Sequence, residues 1–133
     1  MDLAADPLRH EDAWVLPEVR DPATGRIDAR KLAKILGVEQ AQLARALGVD
    51  RRLLANEPTL PKIQRKAGLL ERTFAILVAY LGSEAVARAW FHAPNPALEG
   101  RTAWEVCEDV EAFPQGVEAV ARMVERTAEG IPS

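Results

Sequence analysis

The sequence has little of the material that catalysis and structural metal binding draw on. Cys107 is its one cysteine, so no internal disulfide can form. With only His10 and His92 to join it, Cys107 cannot complete a standard structural zinc set. No Ser/His/Asp constellation, metal cluster or glycine-rich phosphate loop can be assembled, so catalytic residues, metal ligands and cofactors are not expected. Long apolar runs are missing too. The longest, Phe74 to Gly82, falls well short of the ~20 residues that a membrane span needs. No basic-then-apolar leader opens the sequence. These absences predict a soluble, cytoplasmic, non-enzymatic protein with no membrane contact. No stretch alternates like a half-buried strand, which leaves all-α as the fold class.

What is present is ordinary globular material, 48% apolar and 28% charged, enough for a real core in 133 residues. The formal net charge of −3 conceals an uneven distribution. Residues 1–25 hold two basic side chains against six acidic ones, a balance of −4. Residues 26–66 hold ten against four, +6, and residues 67–133 hold five against ten, −5. A basic block between acidic flanks is the asymmetry expected when one segment meets phosphate and another does not.

Residues 1–27 carry Pro7, Pro17 and Pro22 and the turn chemistry of Asp21-Pro22-Ala23-Thr24-Gly25, and read as an arm or linker. Trp14, Val15 and Leu16 are the residues able to dock it onto the core. From Asp28, a capping residue, Leu32, Ile35 and Leu36 form a helical stripe that Gly37 ends. A second helix runs from about Glu39 to Leu47 and ends at Gly48, and Asp50 caps a short third one, Arg51 to Asn56. The segments Lys31–Val38 and Gln42–Val49 echo one another at an offset of eleven, so two successive helices end in the same turn chemistry. Beyond Pro61, Lys62 to Leu81 is the strongest helix. It is apolar around so much of its circumference that it must be central or sit at a subunit interface. Shorter helices follow: Glu84 to about Phe91, Thr102 (with Glu105, a capping box) to about Cys107, and about Gln115 to Thr127.

Ala44, Gly48, Val49 and Leu54 have the spacing of a DNA-reading helix-turn-helix, which places Arg51 and Arg52 at the exposed start of the recognition helix. Ala33, Gly37, Val38 and Leu43 fit the same template. That earlier register would turn Gln40, Gln42 and Arg45 outward. The later register is preferred, because it leaves Asp28–Leu36 as the supporting first helix. The candidate DNA-binding residues are Arg51, Arg52, Gln42, Arg45, Lys62 and Arg65, within a helix-turn-helix module of residues 28–66.

The most individual stretch is Trp90-Phe91-His92-Ala93-Pro94-Asn95-Pro96-Ala97-Leu98-Glu99-Gly100-Arg101-Thr102. Physically it is a helix end, a rigid Pro-Asn-Pro elbow, an apolar plug at Leu98, a glycine turn and a capped helix. It resembles the signature of the MbcA/ParS/Xre antitoxin family. The paired turns of Leu32–Gly37 and Leu43–Gly48 resemble that family's Xre-type N-terminal region, and Ala128–Ser133 is similar to its short ending. Ala103 stands where the family usually has proline, and Pro132 where a larger residue is common. The resemblance implies an N-terminal Xre-like module followed by a helical toxin-binding module, residues 67–133. It implies a RES-domain toxin that consumes or uses NAD⁺ as partner, blocked by the antitoxin's C-terminal region, and autorepression through operator DNA. The positions carried over are Trp90, Asn95, Leu98, Gly100 and Arg101 for toxin binding, with Gly130, Ile131, Pro132 and Ser133 as the occluding tail. A homodimer through the Lys62–Leu81 helix or the helix-turn-helix module is a further expectation. The competing expectation is a stand-alone transcription regulator without a toxin.

Overall fold

The chain, described here for residues 14–130 by a computed structural model, is built from helices. These are α1 (Ala29–Leu36), α2 (Gln40–Leu47), α3 (Arg51–Asn56), α4 (Gln64–Leu81), α5 (Glu84–His92), α6 (Ala103–Glu108) and α7 (Gly116–Gly130). No strand occurs among the described residues, only the isolated bridges Arg20–Ile27 and Pro94–Thr102. Residues 1–13 of the expected arm, His10 among them, and Ile131–Ser133 of the expected tail lie outside the described residues.

The echo at an offset of eleven is one structural device used twice. Gly37 and Gly48 both adopt left-handed backbone, φ 73° and 74°, which only glycine reaches without strain. Val38 and Val49 then donate back to Ala33 O and Ala44 O, both at 3.0 Å, satisfying carbonyls that the helix end would leave open. Asp28 caps α1 and Asp50 caps α3 through their carboxylates, while Glu39 and Gln42 form a capping box on α2. The helix expected from Lys62 begins two residues later. Pro61 has no N–H to donate, and Pro61–Ile63 forms a 3-10 turn before α4 starts at Gln64.

Helix α4 is the central element. Its apolar circumference is covered from within the chain, by α7 along its length and by α5 and α1 on other sides. Leu70, Phe74 and Ile76 are fully enclosed. One continuous core reaches from Trp14 to Ala128, so all three charge segments share it. Polar contacts stitch them further. From α5, Arg88 Nε donates to Ile35 O at 2.7 Å, and His92 Nε2 lies 2.9 Å from Leu36 O, so two side chains one turn apart complete the C-terminal end of α1. The arm is held by Glu71, a buried carboxylate on α4. It accepts from Leu16 N at 2.9 Å and from Arg20 Nε and Nη2 at 3.0 and 2.6 Å.

Candidate functional site

The Pro-Asn-Pro elbow is organised by Asn95. Its side-chain oxygen accepts from Ala97 N at 2.9 Å, and its backbone carbonyl accepts from Leu98 N and Gly100 N at 2.9 and 3.0 Å. Its own N–H donates to Arg101 O at 3.0 Å, closing the loop. Glu99 and Gly100 make the reversal in left-handed backbone, and Leu98 is half-buried against the core. Thr102 then caps α6 with Glu105 in the expected capping box. Ala103, in the position where proline is usual, is the fully buried first residue of that helix.

This elbow forms one wall of an apolar cleft of about 360 Å³. Ile76, Leu77, Tyr80 and Leu81 of α4 supply the floor, Trp90 of α5 with Asn95 and Ala97 one side, and Met123, Val124, Thr127 and Ala128 of α7 the other. Trp90 is half-buried and stands edge-on to the buried Phe91, 5.4 Å between ring centres, which fixes its plane at the rim. Tyr80 and Leu81 are exposed at the mouth. The outward face of α5 continues the surface: Ala85, Val86, Ala89 and Ala93 are exposed, with no charge among them. Two residues assigned from the motif, Trp90 and Asn95, therefore meet at this cleft beside the C-terminal end of α7, where Gly130 is the last helical residue.

Arg101 faces elsewhere. Its guanidinium lies 5.1 Å over the Phe113 ring, at a second, polar cleft that Glu105, Glu108, Asp109 and Glu111 also line. Glu108 is the hub of that region. Its carboxylate accepts from Trp104 Nε1 at 2.8 Å and Gln42 Nε2 at 3.3 Å, and from Arg45 through both Nε (2.7 Å) and Nη2. Gln42 and Arg45, two of the expected DNA contacts, thus tie α2 to α6. Arg65 likewise pairs with Glu118 of α7 at 3.1 Å. Burial raises the Glu118 pKa, but its backbone N–H, the Arg65 hydrogen bond and the Lys66 charge outweigh that and hold it below the usual carboxylate value. Arg51, Arg52 and Lys62 are exposed, and their side chains have no ion pair among the described residues. Buried Cys107 sits in apolar surroundings, and burial together with the Glu118 charge pushes its thiol up to about 12, which makes it an inert core residue.

Residues 77–130 match the family model described as the antitoxin Xre/MbcA/ParS C-terminal toxin-binding domain. That segment is similar to the toxin-binding domain of this antitoxin family. The match covers every residue lining the apolar cleft except Ile76, and it supports an antitoxin role with a toxin as partner. Comparisons with curated proteins and with solved structures found no match. Among the described residues no single helix is long and apolar enough to cross a membrane.

The motif did not reveal that Tyr80, Leu81 and Met123 share the cleft, because they come from helices far away in sequence. The α5 face was more accessible to inspection: uncharged residues at 85, 86, 89 and 93 follow helical spacing on the side opposite Ala87 and Phe91.

Proposed function

We propose that this chain neutralises a RES-domain toxin that consumes NAD⁺, and represses its own operon through the helix-turn-helix of α2 and α3. The observation that carries the toxin reading is the continuous uncharged surface of the α5 face and the apolar cleft, within the antitoxin toxin-binding segment. Surfaces of this kind, a cleft with an aromatic rim and an apolar border, suit a protein partner better than solvent. The toxin docks there, and the tail formed by Gly130, the last residue of α7, with Ile131, Pro132 and Ser133 after it in the sequence, occludes its active site. The −5 balance of residues 67–133 favours a toxin cleft built to receive an anionic dinucleotide.

A homodimer is not needed to explain the apolar excess of α4 from Ala67 to Leu77, which its own chain covers. Tyr80 and Leu81, which remain exposed, are assigned to the toxin. For the operon, we assign the base-edge contacts to Arg51 and Arg52 of α3, a reading that their exposure supports.

Co-expression with the neighbouring gene product tests the toxin reading. The full chain should preserve growth and cellular NAD⁺. A version ending at Gly130 should bind toxin but fail to protect, and Val86→Asp with Ala89→Asp should lose binding while keeping its helical spectrum. Equal protection by the shortened chain would remove the occluding tail from the mechanism, and full binding by the double Asp variant would remove the α5 face.

A further inference from the structure

The basic block of residues 26–66 does not act as one surface. Arg45 and Arg65 are committed to Glu108 and Glu118. Lys31 donates to Arg20 O at 3.3 Å and, with Lys34 and Arg88, borders a cleft between α1 and α5 that also holds Glu18 and Glu84. Of the rest, Arg26, Arg30 and Lys62 lie near one crossing of the chain. Ile27 N donates to Gln64 Oε1 at 2.8 Å, and Gln64 Nε2 returns a hydrogen bond to Ile27 O at 3.0 Å. Ala29 N donates to Pro58 O at 2.8 Å. These bonds lay the start of α1 against the segment that runs from α3 into α4. Three exposed cations, Arg26, Arg30 and Lys62, sit one to two residues from the bonded positions.

We propose that Arg26, Arg30 and Lys62 form a phosphate-binding patch that holds a DNA backbone beside α3. This rests on the helix-turn-helix reading of α2 and α3 and assigns its backbone contacts. The geometry suits a duplex. Helix α3 spans about 9 Å at 1.5 Å per residue, with Arg51 and Arg52 at its far end and the patch where it hands over to Pro58. In a docked helix-turn-helix the N-terminal residues of the second helix meet base edges, while Arg and Lys elsewhere on the module contact phosphates and fix its register. Arg30 is partly engaged: Asp28 accepts from its Nε at 3.4 Å and Nη2 at 3.2 Å, and no described residue takes Nη1. That pairing orients the guanidinium rather than consuming it. The opposing charges nearby are Asp28 itself, Asp21 and the exposed Glu57 at the end of α3. Glu57 is the one that a phosphate would meet.

The test uses the full chain, a labelled duplex taken from immediately upstream of its coding region, and an unrelated duplex of equal length. Binding is followed by fluorescence anisotropy over a salt series. Arg26→Gln, Arg30→Gln and Lys62→Gln should each reduce the slope of log affinity against log salt by about 0.9, on both duplexes alike. This is about 3.5-fold less affinity lost between about 50 and about 200 mM salt. Arg30→Lys should keep the slope, and Glu57→Gln should tighten binding. Arg51→Gln and Arg52→Gln should instead lower the preference for the upstream duplex. Lys31→Gln and Lys34→Gln remove the same charge at the cleft between α1 and α5 and should leave the slope unchanged. If they reduce it equally, overall charge is at work and the patch is overturned. If the wild-type chain binds but the three patch variants keep its slope, the patch is overturned and the helix-turn-helix reading stands. If the wild-type chain shows no salt-dependent binding to either duplex, both readings are overturned. Thermal melts of each variant separate loss of contact from loss of fold.

Discussion

Glu71 offers the most quantitative test of how the fold is held. It is a charged residue only 2% exposed, on the central helix α4. Its carboxylate takes three donors, two from Arg20 and one from Leu16 N, so the arm is fastened to α4 by one side chain. Replacing Glu71 with Met removes two charge-assisted hydrogen bonds and leaves the Leu16 N–H without its acceptor. Breaking a buried pair costs about 3–5 kcal/mol where the remaining charge is trapped. The Arg20 side chain is 30% exposed and can turn toward water, so the cost of Glu71→Met should be about 2.5 kcal/mol. Arg20→Met should cost about the same, because it strands the buried carboxylate. With both replaced, neither charge is stranded and the apolar pair recovers packing. What remains is mainly the unsatisfied Leu16 N–H, about 2 kcal/mol in all. The double-mutant cycle therefore predicts a coupling of about 3 kcal/mol. Urea denaturation followed by tryptophan fluorescence measures it, with Trp14 two residues from the bonded Leu16 N–H. Coupling below about 0.5 kcal/mol, the value of an exposed pair, would refute the argument that burial gives this pair its strength.

Three further outcomes follow from local geometry. The Cys107 thiol, pushed up to about 12 by burial, titrates near 9.0 once unfolded. Its contribution to stability is complete below pH 9 and is lost as pH rises toward 12, by about 1.4 kcal/mol per pH unit. The stability difference between wild type and Cys107→Ala, measured by denaturation from about pH 8 to about pH 11, should shrink accordingly. Gly116→Ala should cost about 3 kcal/mol or prevent folding, since its Cβ would lie 2.0 Å from the Val106 carbonyl oxygen. Gly68→Ala, mid-helix with nothing within 4 Å of the new Cβ, should instead stabilise by up to about 1 kcal/mol, and thermal melts decide both. Glu108→Ala should cost about 2 kcal/mol by stranding Trp104 Nε1–H, while Glu108→Gln, which keeps an acceptor, should cost about half as much in urea denaturation.

Much of the architecture was legible because it is local. Asp28, Asp50, Ser83 and Thr102 sit where their caps form, and the paired Gly-Val turns act as their repetition suggests. The Trp90–Thr102 motif likewise marks an elbow whose hydrogen bonds span only a few residues. What could not be read depends on contacts between residues fifty or more apart. Glu71 interrupts an apolar helix and looks like a solvated residue until Arg20 and Leu16 are brought to it. His92 appears to be a spare helix-end residue until it meets the last carbonyls of α1. Leu98 and Arg101 belong to the same motif as Trp90 and Asn95, yet the elbow turns them away from the apolar cleft.

The charge partition shows most clearly what sequence alone could not resolve. A segment of +6 beside one of −5 suggests two surfaces meeting two partners, but opposite charges on one folded chain are also free to meet each other. Here two do: Arg45 with Glu108 and Arg65 with Glu118 join the basic block to α6 and α7. These pairs tie α2 to α6 and α4 to α7, while contributing little stability where they are exposed. They also subtract from the field available to a partner, since a paired arginine presents a neutralised face. The positive charge left to meet an anionic partner is therefore the portion of the basic block that remains after internal pairing. By geometry that portion is α3 and the crossing at Ile27 and Gln64, not the helix that carries Gln42 and Arg45.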